Sequence, residues 1–83
     1  MYLHIGHDWM IAFETIIAIF PRPILDRSPE FRHLFHTWRL QGRVIGDWPL
    51  SKSVVLTDEK IFLSAISATT LKRRTERGEW QFD

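Results

Sequence analysis

The chain contains no cysteine, which excludes a disulfide framework, thiolate catalysis and the thiolate zinc sites that support many small domains. Its four glycines, Gly6, Gly42, Gly46 and Gly78, stand singly, so no closely spaced glycine loop exists to cradle a phosphate ahead of a helix. No Gly-x-Ser-x-Gly turn nominates a serine nucleophile. No apolar run approaches the roughly 18 residues of a membrane-crossing helix. The opening MYLHIGHDWMIAFE lacks the basic start and apolar stretch of a secretory signal. These absences predict a soluble cytoplasmic protein with no catalytic residues, no cofactor, no small-molecule substrate and no membrane partner.

Against those absences stands an apolar, aromatic composition. Of 83 residues, 45% are hydrophobic and 13% aromatic, including four Trp and six Phe, too many for a chain that stays unfolded in water. This length makes one domain, 1–83, with a folded core over 1–77 and an aromatic tail over 78–83. A domain of this size hides only about 60–65% of its unfolded surface on folding. With neither disulfide nor metal to reinforce it, self-association is the remaining common support.

Tyr2 to Ile5 and Trp9 to Phe13 read as the arms of a hairpin around Gly6-His7-Asp8. Ile16 to Phe20 is a continuous apolar run, which predicts a strand buried on both faces. Pro21 and Pro23 end it and predict a loop over 21–27. Ser28-Pro29-Glu30 then combines an N-cap serine, a proline at the first helical position and an acid in the first turn. Phe31, Leu34, Phe35 and Trp38 follow at i, i+3, i+4 and i+7, the stripe of an amphipathic helix that Gly42 ends. Val44-Ile45 is a short strand broken by Gly46-Asp47-Trp48-Pro49. The run 52–64 is a hairpin turning at Asp58-Glu59, with Val54, Leu56, Ile61 and Leu63 as its core residues. Ser67 caps a last helix that runs to about Arg77 before Gly78. The expected architecture is α+β: a small antiparallel sheet packed on one amphipathic helix, with a short basic C-terminal helix.

Charge is balanced overall at +1 but uneven along the chain. Lys72, Arg73, Arg74 and Arg77 fall on the last helix, and Arg43 and Lys52 flank the central loop; these six are the candidate phosphate contacts, although a charge run this short is also an ordinary solvated face. Repetition around an oligomer would multiply such contacts. Trp48, Trp80 and Phe82 lie where a monomer has little core left to cover them, so they are candidate protein-interface residues, with folding back onto the chain's own sheet as the alternative. Glu30, His33 and His36 share a helix surface, but solvated surface histidines explain them and no metal site is assigned.

The strings HIG near the start, IIAIF at 16–20, VVLTDEKIFLSAIS at 54–67 and TLKRR at 70–74 together resemble the Rem family of bacterial regulators of extracellular-matrix (biofilm) genes, from Tyr2 to Arg74. The run from Thr57 to Arg74 is closer to its RemB-like than to its RemA-like branch. The resemblance implies a cytoplasmic transcription regulator that forms a ring-shaped homo-oligomer and binds DNA around its rim, partly through arginines. At the positions where RemA-like members carry those arginines, this sequence has Thr15 and the segment Trp48-Pro49-Leu50-Ser51-Lys52, in which only Lys52 is cationic. Two expectations follow. One is a DNA-binding regulator using Arg43, Lys52, Lys72, Arg73, Arg74 and Arg77. The other is an oligomeric adaptor that binds a protein partner through Trp48, Trp80 and Phe82.

Overall fold

A computed structural model describes residues 1–6 and 9–77. In chain order the elements are β1 (Tyr2–His4), β2 (Met10–Ala12), β3 (Ile16–Pro21), α1 (Ile24–Arg27), α2 (Pro29–Leu40), β4 (Val44–Ile45), β5 (Ser53–Thr57), β6 (Ile61–Ser64) and α3 (Ala68–Arg77), with 3₁₀ turns at Phe13–Thr15 and Trp48–Leu50. The α+β class and both hairpins match the sequence reading. β1 and β2 pair antiparallel, Leu3 opposite Ile11. The main sheet has the order β3-β5-β6-β4.

β5 organises this sheet. Val54 and Val55 are both fully buried, and neighbouring side chains of a strand point to opposite faces. Each face of the sheet therefore needs its own cover. On one side Val54, Ile61 and Leu63 pack with Leu25 of α1 and with Phe35, Phe31 and Trp38 of α2. On the other, Val55 and Ile19 pack with Leu3, Ile5 and Ile11 of the small hairpin and with Ala68 and Leu71 of α3. The result is three layers rather than a sheet on a single helix.

Hydroxyl groups fasten the second cover. Ser64 Oγ donates to the Ile5 carbonyl at 2.6 Å and accepts from the Ile66 amide, while Ser53 Oγ donates to the Ile66 carbonyl at 2.6 Å. Both serines are buried, and satisfying them is what makes their burial tolerable.

Four local expectations are corrected. β3 is not buried on both faces: only Ile19 is buried and Ile17 is 63% exposed, because β3 is an edge strand and its pairing with β5 shifts register around Ile17. The residues at 21–27 are not all loop. Pro23 has φ −58° and its carbonyl accepts from Asp26 and Arg27, starting the one-turn α1; proline's fixed φ suits a helix start. The sheet is mixed, since β4 runs parallel to β6. Finally, Val55 belongs to the core while Leu56 is only half-buried.

The secure signals hold. Ser28 Oγ accepts from the Phe31 amide at 3.1 Å and Pro29 opens α2. Ser67 Oγ accepts from the Thr70 amide at 3.2 Å at the head of α3. The turn at His7-Asp8 and the expected stop at Gly78 lie outside the described residues.

Gly46 (φ +124°) follows β4 and lies against β6: a Cβ there would press on the Leu63 carbonyl and lie 2.9 Å from its Cβ. Gly42 (φ +73°), at the end of α2, faces open space. Gly46→Ala is expected to lower stability by about 2–4 kcal/mol, combining backbone strain with overpacking, and Gly42→Ala by only about 1 kcal/mol. Urea unfolding of the two variants checks the order.

Candidate nucleic-acid interface

The cationic residues expected to face phosphate divide into two structural groups. Arg43 is a clamp. Its guanidinium lies 4.0 Å from the Trp38 ring centroid, its Nε donates to the Glu59 carbonyl at 2.7 Å, and its Nη1 donates to Gln41 Oε1 at 2.9 Å. It thus ties the end of α2 to the β5-β6 turn. Arg74 is half-buried and donates from Nη1 to the His4 carbonyl at 3.0 Å, joining α3 to β1. Lys52, Lys72 and Arg73 are exposed. Arg77 closes α3.

Lys72 and Arg73 are carried by α3, whereas Lys52 immediately precedes β5. Lys72 borders a shallow groove of about 230 Å³ along the β3 edge, with Phe13, Ile16, Ile17, Ala18, Ile19 and Thr75 as its other walls. Lys52 lies just before β5, where its carbonyl accepts from the Arg22 amide just past the end of β3.

Arg22 is the residue that the sequence reading passed over. It sits between two prolines in what reads as a loop, and nothing in that segment ties it to residues 48–52. In the fold its guanidinium stacks 3.9 Å from the Trp48 ring centroid, and its Nη1 donates to the Ser51 carbonyl at 3.3 Å. Arg22 and Lys52 therefore flank the 3₁₀ turn at Trp48–Leu50, the segment in which the resemblance expects arginines. A guanidinium has five N–H donors, and the bond to Ser51 uses one of them.

The other position at which an arginine is expected has a different role. Thr15 Oγ1 donates to the Ala12 carbonyl at 2.7 Å and its own carbonyl accepts from the Asp58 amide, so the residue closes the turn that enters β3.

Trp48 is 38% exposed and also borders a second groove, of about 230 Å³, between α1, α2 and the 48–50 turn. Leu25, Phe35 and Trp48 form its apolar part, the Phe35 and Trp48 ring centroids being 5.6 Å apart. Arg32, Arg39, His36 and Asp26 form its polar part. Arg32, His36 and Arg39 follow one another at i, i+4 and i+7, a spacing readable in the sequence as one helix stripe. His36 lies edge-on to Phe35. Trp80 and Phe82 lie outside the described residues. Among the described residues, no group of three or more His, Cys, Asp or Glu could hold a metal ion, and no helix is long and apolar enough to cross a membrane.

Compared with known proteins, the sequence matches a family model described as RemA-like, extracellular matrix regulatory protein A-like, over residues 2–75. No curated protein gives a match.

The division of the cations has a measurable consequence. Arg43→Ala and Arg74→Ala should each destabilise the fold by about 1–2 kcal/mol, through lost stacking and side-chain hydrogen bonds. Lys72→Ala and Arg73→Ala should stay within about 0.5 kcal/mol of the parent, as exposed substitutions do. Chemical denaturation of the four variants separates the groups.

Proposed function

The chain belongs to the RemA-like family of extracellular matrix regulatory proteins, and from that premise we propose that it is a non-enzymatic, cytoplasmic transcription regulator that assembles into a homo-oligomeric ring and contacts DNA phosphates. The observation that carries the DNA reading is the pairing of Arg22 with Lys52. Trp48 and Ser51 hold the Arg22 guanidinium against the 48–52 segment, so two cations flank a loop whose own sequence supplies only one. A stacked and hydrogen-bonded arginine has already lost much of its rotamer freedom, so closing on a phosphate costs it less further ordering.

Lys72 and Arg73 add solvated charge on α3. Arg43 and Arg74 act mainly by holding elements together. Contacts of this kind position a protein on the duplex without reading its sequence. One subunit supplies only a few of them, and affinity reaches a regulatory range when a ring presents many copies to one DNA. In this reading, self-association both supports a small core and provides the binding strength.

The test is fluorescence anisotropy with a long duplex over a series of salt concentrations, with the oligomer's mass followed by light scattering in the same buffers. The expected result is a large oligomer whose affinity falls steeply with salt. Arg22→Ala and Lys52→Ala should each flatten the slope of log K against log salt by about 0.9 per lost phosphate contact. An oligomer that binds no DNA even at low salt overturns direct DNA contact and leaves the adaptor reading, with a protein partner at Trp48.

A further inference from the structure

The groove between α1, α2 and the 48–50 turn joins core side chains to cations that the DNA reading does not use. Its apolar part is Leu25, Phe35 and Trp48, and its polar part carries two exposed arginines, Arg32 and Arg39, against the single carboxylate of Asp26. Such a surface suits an acidic segment with aromatic anchors, because the rings fill the apolar part while carboxylates meet the guanidinium groups. The chain carries one such sequence, Glu79-Trp80-Gln81-Phe82-Asp83. Its two rings lie between carboxylates at either end of the segment.

The topology decides which copy of the tail can arrive. α3 packs on the hairpin side of the sheet, through Ala68 and Leu71, whereas the groove is on the α1-α2 side. On its own side α3 lies along β3, Lys72 and Thr75 bordering a groove with Ile16 to Ile19 and Leu71 packing with Ile19. Packed layers lie about 10 Å apart, so the sheet and its two covers put about 20 Å between α3 and the α1-α2 layer. Trp80 is three residues past Arg77, a reach of at most about 11 Å. That reach is too short to carry Trp80 across the sheet into the groove of its own copy.

We infer that residues 79–83 of one copy dock in the Leu25/Phe35/Trp48 groove of a second copy, with Glu79 and Asp83 paired to Arg32 and Arg39. The contact joins two different surfaces. It is therefore head-to-tail, and repetition closes it into a ring or propagates it as a filament. The inference rests on the self-assembly part of the proposed function and gives that assembly its contact.

The experiment is light scattering on full-length protein over a range of concentrations. Trp80→Ala/Phe82→Ala and the groove reversal Arg32→Glu/Arg39→Glu should each lower the oligomer's mass at least two-fold, with far-UV circular dichroism unchanged. The tail reversal Glu79→Arg/Asp83→Arg should do the same, and its combination with the groove reversal should restore the parental mass. A synthetic peptide of residues 78–83, added in excess to the parent protein, should also lower the mass, a readout that depends on no variant folding. A mass unchanged by the tail substitutions and by the peptide, or reversals that fail to restore it when combined, overturns tail docking and leaves self-assembly standing. A parent protein that is monomeric throughout overturns both.

Discussion

Burial of β5 on both faces governs how the remaining elements of this small domain are placed. Val54 and Val55 are adjacent and fully buried, so a single short strand commits the chain to covering two sides of one sheet. A chain of 83 residues has little material for two covers. It meets the demand with a helical layer of 16 residues split between α1 and α2, and with a hairpin of two three-residue strands beside α3. Each cover is thin, and side chains that a larger domain would spend on its surface are used here as fasteners.

That thinness accounts for the behaviour of the polar and cationic residues. Ser53 and Ser64 hold the hairpin layer by bonding to the carbonyls of Ile66 and Ile5. Arg74 does the same from α3 to β1, and Arg43 does it on the helical side by stacking on Trp38 and reaching the β5-β6 turn. A guanidinium suits this work because its plane covers an aromatic ring while its edge reaches a carbonyl. The same geometry at Arg22 and Trp48 lies at the end of the sheet, next to exposed Lys52, where it organises a surface rather than an interior.

Much of the fold is legible from local chemistry. Ser28-Pro29 marks a helix start because the hydroxyl caps an amide and proline has no amide to leave unpaired, and the Phe31, Leu34, Phe35 and Trp38 stripe fixes which face turns inward. The 52–64 hairpin is equally readable, since turn residues separate two apolar runs. The apolar run at 16–20 misleads for a definite reason: hydrophobicity reports a preference for burial, but an edge position in the sheet and a register shift at Ile17 decide how much burial is available. Val55 shows the converse, a residue whose burial depends on a cover arriving from residues 3–11 and 68–71.

Local sequence accounts for the identity of the elements, the absence of thiol and glycine-loop chemistry, and the supply of cations and aromatic residues. These depend on spacing within a few residues. Which of those residues are already occupied is set by the packing of distant segments. Arg43 and Arg74 bond to carbonyls 16 and 70 positions away along the chain, and Arg22 to one 29 away. No local pattern encodes such partners, because strand order and layer packing set them. Sorting the cations into fasteners and surface charge, and setting the groove on the opposite side of the sheet from α3, therefore belong to the fold alone.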